Sequence, residues 1–542
     1  MNARRAAAGI AGAAGLIAVM TLFSRIAGVG RIFVFADAVR AKGVGEIYQT
    51  VNALPNVLFE VAAGGILAAV AVPLIASRLG VGDRDHADRV ASVLLTWALA
   101  TLVPAAIVLF LAAPALSGLM IKDFDPRAHE VGATLLRIFA VQVPLYGVGI
   151  ILAGLLQAHR RFLMAALAPL LSSIVVLGSY LWYGQLTGGE TSPSLVSGSA
   201  LVVLGWGTTL GVVALSLPLV IPALRTGWRW RPSFRLPADD ARRIGSLAGA
   251  GVLALLAQQA AVLATMWLTN HSGDRGAFPV YGYVQAIYLL PYAVLAVPVA
   301  TSTFPALAAG AGAGREVSST LARALGGVLV LTGLAVGALL AAAPAVGAFF
   351  ELLDARRGAE GASPVALSAM SGALTAYAPG LVGFGLSALL TRALYVRGRP
   401  MHAALAVAAG WLVALLPIVV VGPDQGPGAT LGALGVASSL GMTLSAVLLL
   451  MLVRREWGPE AVAGVARTAG VLVVTAAAGL ATGGAVTRGR DLDDFAEVVL
   501  TGLSAGLAAL LAGLVVLWFA DREMMREVVD RVRTRRRGGA GT

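Results

Sequence analysis

Residues 90–118 read VASVLLTWALATLVPAAIVLFLAAPALSG, from Val90 to Gly118, without one Asp, Glu, Lys or Arg. About 18 apolar residues wound as a helix already cross the roughly 30 Å hydrocarbon of a bilayer. The run shows no alternation of polar and apolar positions, which excludes a barrel strand and leaves the helix as the spanning element. Similar runs recur along nearly the whole 542-residue chain, which is 58% hydrophobic, only 13% charged, and has a mean hydropathy of +0.84. A soluble domain needs far more polar surface. The fold class expected is an all-α polytopic membrane protein.

Working outward, about fourteen transmembrane helices are expected, near residues 8–36, 45–77, 90–118, 130–157, 162–186, 195–224, 243–270, 278–308, 320–350, 365–394, 401–422, 429–453, 461–486 and 495–519. Charge orients them. With the N-terminus in the cytoplasm, inside segments hold 26 of the 40 Lys+Arg, outside loops nine, and helices the remaining five. That split predicts cytoplasmic termini and an even number of spans. Arg4 and Arg5 before an apolar run resemble a signal peptide, and Ala36-Asp37-Ala38 formally fits a cleavage site. Arg25 and Arg31 interrupt the path to it, so the segment reads as an uncleaved first helix.

The most basic internal segment contains Trp228-Arg229-Trp230-Arg231. It divides the chain into an N-terminal lobe (1–224), a cytoplasmic linker (225–242) and a C-terminal lobe (243–454). Helices thirteen and fourteen (455–520) and a basic tail (521–542) follow. The pattern partly restarts after the linker. Leu155-Leu156-Gln157-Ala158-His159-Arg160-Arg161 precedes Met164-Ala165-Ala166-Leu167-Ala168, and Ala393-Leu394-Tyr395-Val396-Arg397-Gly398-Arg399 precedes His402-Ala403-Ala404-Leu405-Ala406. Pro144 with Gly147 and Gly149 answers to Pro379 with Gly383 and Gly385. A six-helix repeat keeps one orientation, the parallel architecture of transporters that rock two lobes around a central cavity. Chance similarity between Ala-rich helices is the alternative.

Several chemistries are excluded. The chain has no Cys, and its five His fall in or beside predicted loops without ligand spacing, so neither a metal site nor a cofactor is expected. No hydrolase elbow, P-loop or paired catalytic carboxylates occur, and Gly310-Ala311-Gly312-Ala313-Gly314 reads as a flexible turn. The net charge of +12 is a topology signal, with no soluble basic domain to bind nucleic acid. A transporter is expected, not an enzyme.

Charges inside helices are costly and usually functional. Arg25 and Arg31 in helix one suit a wet cavity and anionic oxygens, with Gly28 and Gly30 between them permitting bending and close approach. Snorkelling or structural pairing is the alternative for both. Helix two carries Glu46 and Glu60, with Pro55 and Asn56 between them. Glu60 suits a partner for a cavity Arg, whereas Glu46 lies near the outer end, where an interfacial position also fits. Arg137 in helix four and Gln285 in helix eight, ahead of Pro291, complete the candidate lining. Snorkelling and helix–helix hydrogen bonding are their respective alternatives.

The string Ser24-Arg25-Ile26-Ala27-Gly28-Val29-Gly30-Arg31, then Leu54-Pro55-Asn56, then Val72-Pro73-Leu74-Ile75-Ala76, resembles the N-terminal signature of the MurJ/MviN family. Gln157-Ala158-His159-Arg160-Arg161-Phe162 before Ala168-Pro169, and Arg397-Gly398-Arg399-Pro400 after helix ten, match it too. The resemblance implies a multidrug/oligosaccharidyl-lipid/polysaccharide exporter. Relatives flip lipid II, the undecaprenyl-pyrophosphate-linked peptidoglycan precursor, outward by alternating access, and their last two helices form a groove for its tail. Departures are Ile32 where an acidic residue is common and Phe59 where Arg is. Gln285 to Pro291 also lacks the usual Arg and Glu, with Ala286 and Leu289 in that stretch. Some members bind sodium through carboxylates of the C-terminal lobe. No Asp or Glu is expected inside helices seven to twelve here.

The expected function is therefore a lipid II flippase of the bacterial cytoplasmic membrane. Arg25 and Arg31 would attract the pyrophosphate. Expected partners are the lipid-linked anionic precursor, membrane lipids and cell-wall synthesis or division proteins. The rivals are an exporter of another polyprenyl-linked glycan and a transport-inactive scaffold.

Overall fold

The computed structural model describes residues 20, 23–64, 74–76, 78–79, 82–235, 238–309, 315–358, 364–422, 425–490 and 492–520, and no strand occurs among them. The chain packs as two compact units, Met1–Tyr283 with Leu353–Ala366, and Val284–Leu352 with Leu367–Thr542. The sequence division at 225–242 falls inside the first of these.

Unit one holds α1 (residues 23–38), α2 (Val44–Phe59), α3 (Arg84–Met120), α4 (Ala128–Ala140), α5 (Gln142–Ala158), α6 (Phe162–Thr187), α7 (Gly198–Ser216) and α8 (Ala238–Ser272), and takes in the start of α9 (Ala277–Pro291). Side chains cap helix starts, those of α3 and α7 among them. Asp83 accepts from the His86 N–H at 3.1 Å and Ser197 Oγ from the Ala200 N–H at 3.3 Å, satisfying donors the first turn leaves orphaned. The expected fourth helix breaks at Val141 into α4 and α5, and Pro144 falls in the first turn of α5, where its missing N–H costs nothing. Helices α6 and α7 pack through small residues. A Cβ at Gly207 would stand 2.1 Å from Ser179 Oγ, and one at Gly211 2.3 Å from Val176 Cγ2. Such contacts replace the hydrophobic force that is missing between helices in lipid.

Unit two holds the rest of α9, then α10 (Val297–Ala309), most of α11 (Arg315–Ala355) and α12 (Pro364–Tyr377), and α13 (Gly380–Val396), α14 (Pro400–Val413), α15 (Gly426–Trp457), α16 (Val465–Thr487) and α17 (Phe495–Ala520). Here backbones nearly touch: a Cβ at Gly383 would lie 2.4 Å from Met442 O, and one at Gly410 2.6 Å from Gly441 O. On α17, Leu500, Leu503, Leu507 and Leu511 form a stripe that is 55–67% exposed. Their spacing puts them on one helix face, an apolar surface that lipid covers.

Among the described residues, 11 helices are long and apolar enough to cross a membrane, or 12 if α12 and α13, bent by 50°, count as one span. They match the expected positions three to fourteen. The count of fourteen is not established, because residues 8–19 of helix one and 65–73 of helix two lie outside the described residues. So do the tail 521–542 and the Gly310–Gly314 turn. Two further expectations change. Helix nine was expected to stop near residue 350, but α11 continues to Ala355 and takes Glu351 and Asp354 into the helix. Its start at Arg315 likewise includes Glu316, so carboxylates do occur in helices of the C-terminal half, at their ends. Gly28 and Gly30 lie in an unbroken α1, and among the described residues a Cβ at either would meet nothing within 4 Å, so no close approach to the described chain is made there. Pro55 and Pro291 do mark irregularity: π-helical turns follow at Glu60–Gly64 and Tyr292–Ala296.

The repeated motif shares its backbone as well as its letters. Helices α5 and α13 have 17 residues each. After α5, Arg160 N–H donates to Gln157 O and Arg161 N–H to Leu156 O; after α13, Gly398 N–H donates to Tyr395 O and Arg399 N–H to Leu394 O. Both are Schellman turns, with a left-handed residue just past the helix. That residue is Arg160 at φ 58° in one copy and Gly398 at φ 70° in the other.

Candidate functional site: a polar cavity in the first unit

Unit one encloses a cavity of about 310 Å³. Arg31 enters it from α1. Gln49, Asn52 and Asn56 enter from α2, Tyr146 from α5, Ser172 and Tyr180 from α6, and Thr208 from α7, with Gly282 and Tyr283 at the start of α9. Gln49, Asn52 and Asn56 stand at i, i+3 and i+7, which places three carboxamides on one helix face. Arg31 is the only charged residue among the described lining, so the cavity is net positive with neutral polar walls.

A hydroxyl chain crosses one wall, and its direction follows from its end. Thr208 Oγ1 donates to Leu204 O at 2.7 Å, so it accepts from Tyr48 Oη at 2.9 Å. Tyr48, having one proton, then accepts from Tyr180 Oη at 2.8 Å. Both tyrosines are buried and packed by Phe35, whose ring centroid lies 5.5 Å from that of Tyr48 and 5.3 Å from that of Tyr180. The Tyr180 proton is therefore committed, and only the lone pairs of its oxygen remain to be offered. Asn52 Oδ1 is another acceptor: it is shielded from solvent and has no hydrogen-bond partner. Asn56 Nδ2 donates to the Asn52 main-chain oxygen at 3.0 Å.

Of the residues expected to line a cavity, the structure brings Arg31 and Asn56 together and leaves the others outside this lining. Arg25 is exposed; six residues before Arg31, it points about 120° away around the helix. Glu46 is buried, and its Oε2 accepts from the Gly276 N–H at 3.1 Å. That carboxylate caps the positive end of α9. Glu60 is half-buried at the start of the π-turn after α2. Arg137 is exposed, with its guanidinium 5.7 Å from the Phe110 ring centroid, a cation–π contact. Gln285 is half-buried in unit two. Tyr48, Gln49, Asn52 and Tyr180 were missed. The i, i+3, i+7 amides on α2 were the available signal.

A second polar cluster lies in unit one. The buried Arg40 pairs with Asp354 (Nε to Oδ1, 3.2 Å) and also donates to Asp354 O, Gly358 O and Gly189 O at 2.8, 2.8 and 3.2 Å. Arg357 answers in the opposite sense, with Nη2 2.9 Å from Asp37 Oδ2 and Nη1 donating to Gly184 O at 3.1 Å. These crossed pairs clasp the end of α1 to residues 354–358. Asp125, in the loop before α4, accepts from Ser192 Oγ, Ser194 Oγ and the Arg127 N–H. Burial raises its pKa, but these hydrogen bonds outweigh it and hold the carboxyl below its ordinary value.

The family profile described as lipid II flippase MurJ matches residues 35–491 of this chain. The chain belongs to the MurJ family. It is 32% identical over 235 residues to a probable lipid II flippase MurJ of Synechocystis sp., covering 42% of this chain and 43% of that one. It is 26% identical over 339 residues to a probable lipid II flippase MurJ of Rhizobium meliloti, covering 59% of each. The matched stretches thus span about half the length of these curated relatives. The fold is similar to that of a lipid II flippase MurJ solved in an inward closed conformation, with a TM-score of 0.69 at 17% identity over 94% of this chain and 99% of that one. It is also similar to an inward-facing multidrug resistance MATE family transporter of the MOP superfamily, with a TM-score of 0.61 at 15% identity over 81% and 98%.

Proposed function

We propose that this protein is a lipid II flippase: a transporter that moves the undecaprenyl-pyrophosphate-linked peptidoglycan precursor outward across the bacterial cytoplasmic membrane by alternating access. The observation that carries the reading is the cavity itself, a member of this family presenting Arg31 among neutral amides and hydroxyls with no carboxylate in the described lining. A pyrophosphate leaving the headgroup layer needs cationic hydrogen-bond donors, and a guanidinium offers two in parallel. Arg31 receives the pyrophosphate in the first unit. Arg25, about one and two-thirds turns earlier on α1, meets the phosphates on their way in. The exposed leucine stripe of α17 belongs to the surface that lodges the polyprenyl tail. The 26-to-9 charge split supports cytoplasmic termini. Cell-wall synthesis or division proteins are the partners such a substrate implies.

The test is complementation of a flippase-depleted cell. Arg31→Ala should abolish growth and flipping at normal abundance, and Arg31→Lys should restore only part, because an ammonium keeps the charge but loses the fork. Full flipping by Arg31→Ala would end the proposal. The uncharged stretch from Gln285 to Pro291 favours a transport-inactive scaffold instead. That reading requires the wild-type chain itself to fail complementation.

A further inference from the structure

We infer that Gln49 and Asn52 of α2, with the Tyr180 hydroxyl, recognise the uncharged sugar and acetamido part of the lipid-linked substrate, while Arg31 takes its phosphates. This rests on the flippase reading and adds to it the division of one cavity into two chemistries.

The argument is one of hydrogen-bond sense. Asn52 is among the residues that line the cavity, and its Oδ1 is shielded from water and has no partner. The hydroxyl chain from Tyr180 through Tyr48 and Thr208 to Leu204 O leaves the Tyr180 oxygen able only to accept. A phosphate oxygen is itself an acceptor and can satisfy neither group. Both call for a ligand bearing O–H or N–H, which sugar hydroxyls and acetamido nitrogens supply. A carboxamide offers a donor and an acceptor side by side, matching a hydroxyl or an amide in both senses. Gln49 and Asn52 are spaced three residues apart on α2, so they face the same space. Gly282 stands opposite the Gln49 amide, and even a methyl there would sit 3.6 Å from Gln49 Oε1, so the glycine leaves that volume as cavity. Arg31 supplies the single positive charge, from a different helix.

The experiment uses the full chain in lipid nanodiscs and two probes. One is bare undecaprenyl pyrophosphate. The other is the same carrier bearing an N-acetylated disaccharide without peptide. Wild type should bind the glycosylated probe more tightly. Asn52→Leu and Gln49→Met should each lower that preference about tenfold, as loss of a buried neutral hydrogen bond does, and leave the affinity for the bare carrier unchanged. If Asn52→Leu does not accumulate, Gln49→Met, an apolar side chain of similar length, carries the test. An unchanged preference in well-folded variants overturns the inference, as does an equal loss for both probes. Arg31→Ala separates the underlying reading. It should weaken both probes alike, and if it weakens neither, the phosphate assignment fails whatever the amide variants do.

Discussion

Asp354→Ala is the most informative single perturbation of this fold. Arg40 is 1% exposed, and the Asp354 side chain that neutralises it is 4% exposed. The guanidinium also uses the carbonyls of Gly189, Asp354 and Gly358, so substitution at Asp354 leaves it hydrogen-bonded but electrically uncompensated. Removing one member of a buried pair costs about 3–5 kcal/mol. The neighbouring pair gives an internal scale. Arg357 and Asp37 are 26% and 20% exposed, and at that exposure solvent screening holds the cost of Arg357→Met to about 1 kcal/mol. Replacing both members by apolar residues, Arg40→Met with Asp354→Leu, should recover at least about 1 kcal/mol relative to Asp354→Leu alone, since no unpaired charge remains. Recovery is incomplete because a methionine cannot donate to the carbonyls of Gly189, Asp354 and Gly358, which lose their buried donor. Equilibrium unfolding in mixed micelles, run as a double-mutant cycle, reads all four values. An Asp354→Ala protein within about 1 kcal/mol of wild type would refute the reasoning, because the pair could not then be a desolvated one.

The two equivalent turns predict opposite responses to substitution. Arg160→Gly should leave stability unchanged or raise it by up to about 1 kcal/mol by removing left-handed strain, whereas Gly398→Ala should cost about 1–2 kcal/mol; thermal unfolding of both in one detergent decides, and equal effects would sink the argument. Asp125 predicts a pH effect. Its lowered pKa stabilises the loop above the ordinary carboxylate range, and that contribution is lost as pH falls through the lowered value. The protection factors of residues 121–128 and 191–197, their exchange relative to the intrinsic rate at each pH, should therefore fall in acid for wild type, and Asp125→Asn should leave them low and nearly independent of pH.

Much of the fold was legible because lipid imposes one rule. Every spanning backbone must satisfy itself, so the twelve spans after the first two helices follow from apolar length alone. What apolar length does not encode is where a helix ends once it leaves the hydrocarbon. The apolar run of helix nine fades near residue 350, but α11 continues to Ala355 because Asp354 is held by Arg40, more than 300 residues away. The motif that recurs in letters at 155–161 and 393–399 also recurs in its hydrogen bonds, with Arg160 standing where its counterpart is Gly398.

The site was legible by charge and hidden by neutrality. Arg31 stood out because a guanidinium in an apolar run is rare, and it does reach the cavity. The same reasoning chose Arg25, Glu46 and Arg137, yet cost in lipid reveals only that a charge must be accommodated, not by what. Glu46 is accommodated by a helix terminus, Arg137 by an aromatic ring, and Arg25 by an exposed face turned away from Arg31. The neutral residues that shape the cavity carry no such penalty and so drew no notice. Tyr48 and Tyr180 carry no charge to mark them in the sequence. The sense of their hydrogen-bond chain depends on Thr208 donating to its own helix, a contact that only the folded chain displays. A lone charge thus locates a membrane site, and the sense of its neutral hydrogen bonds says what chemistry can fill it.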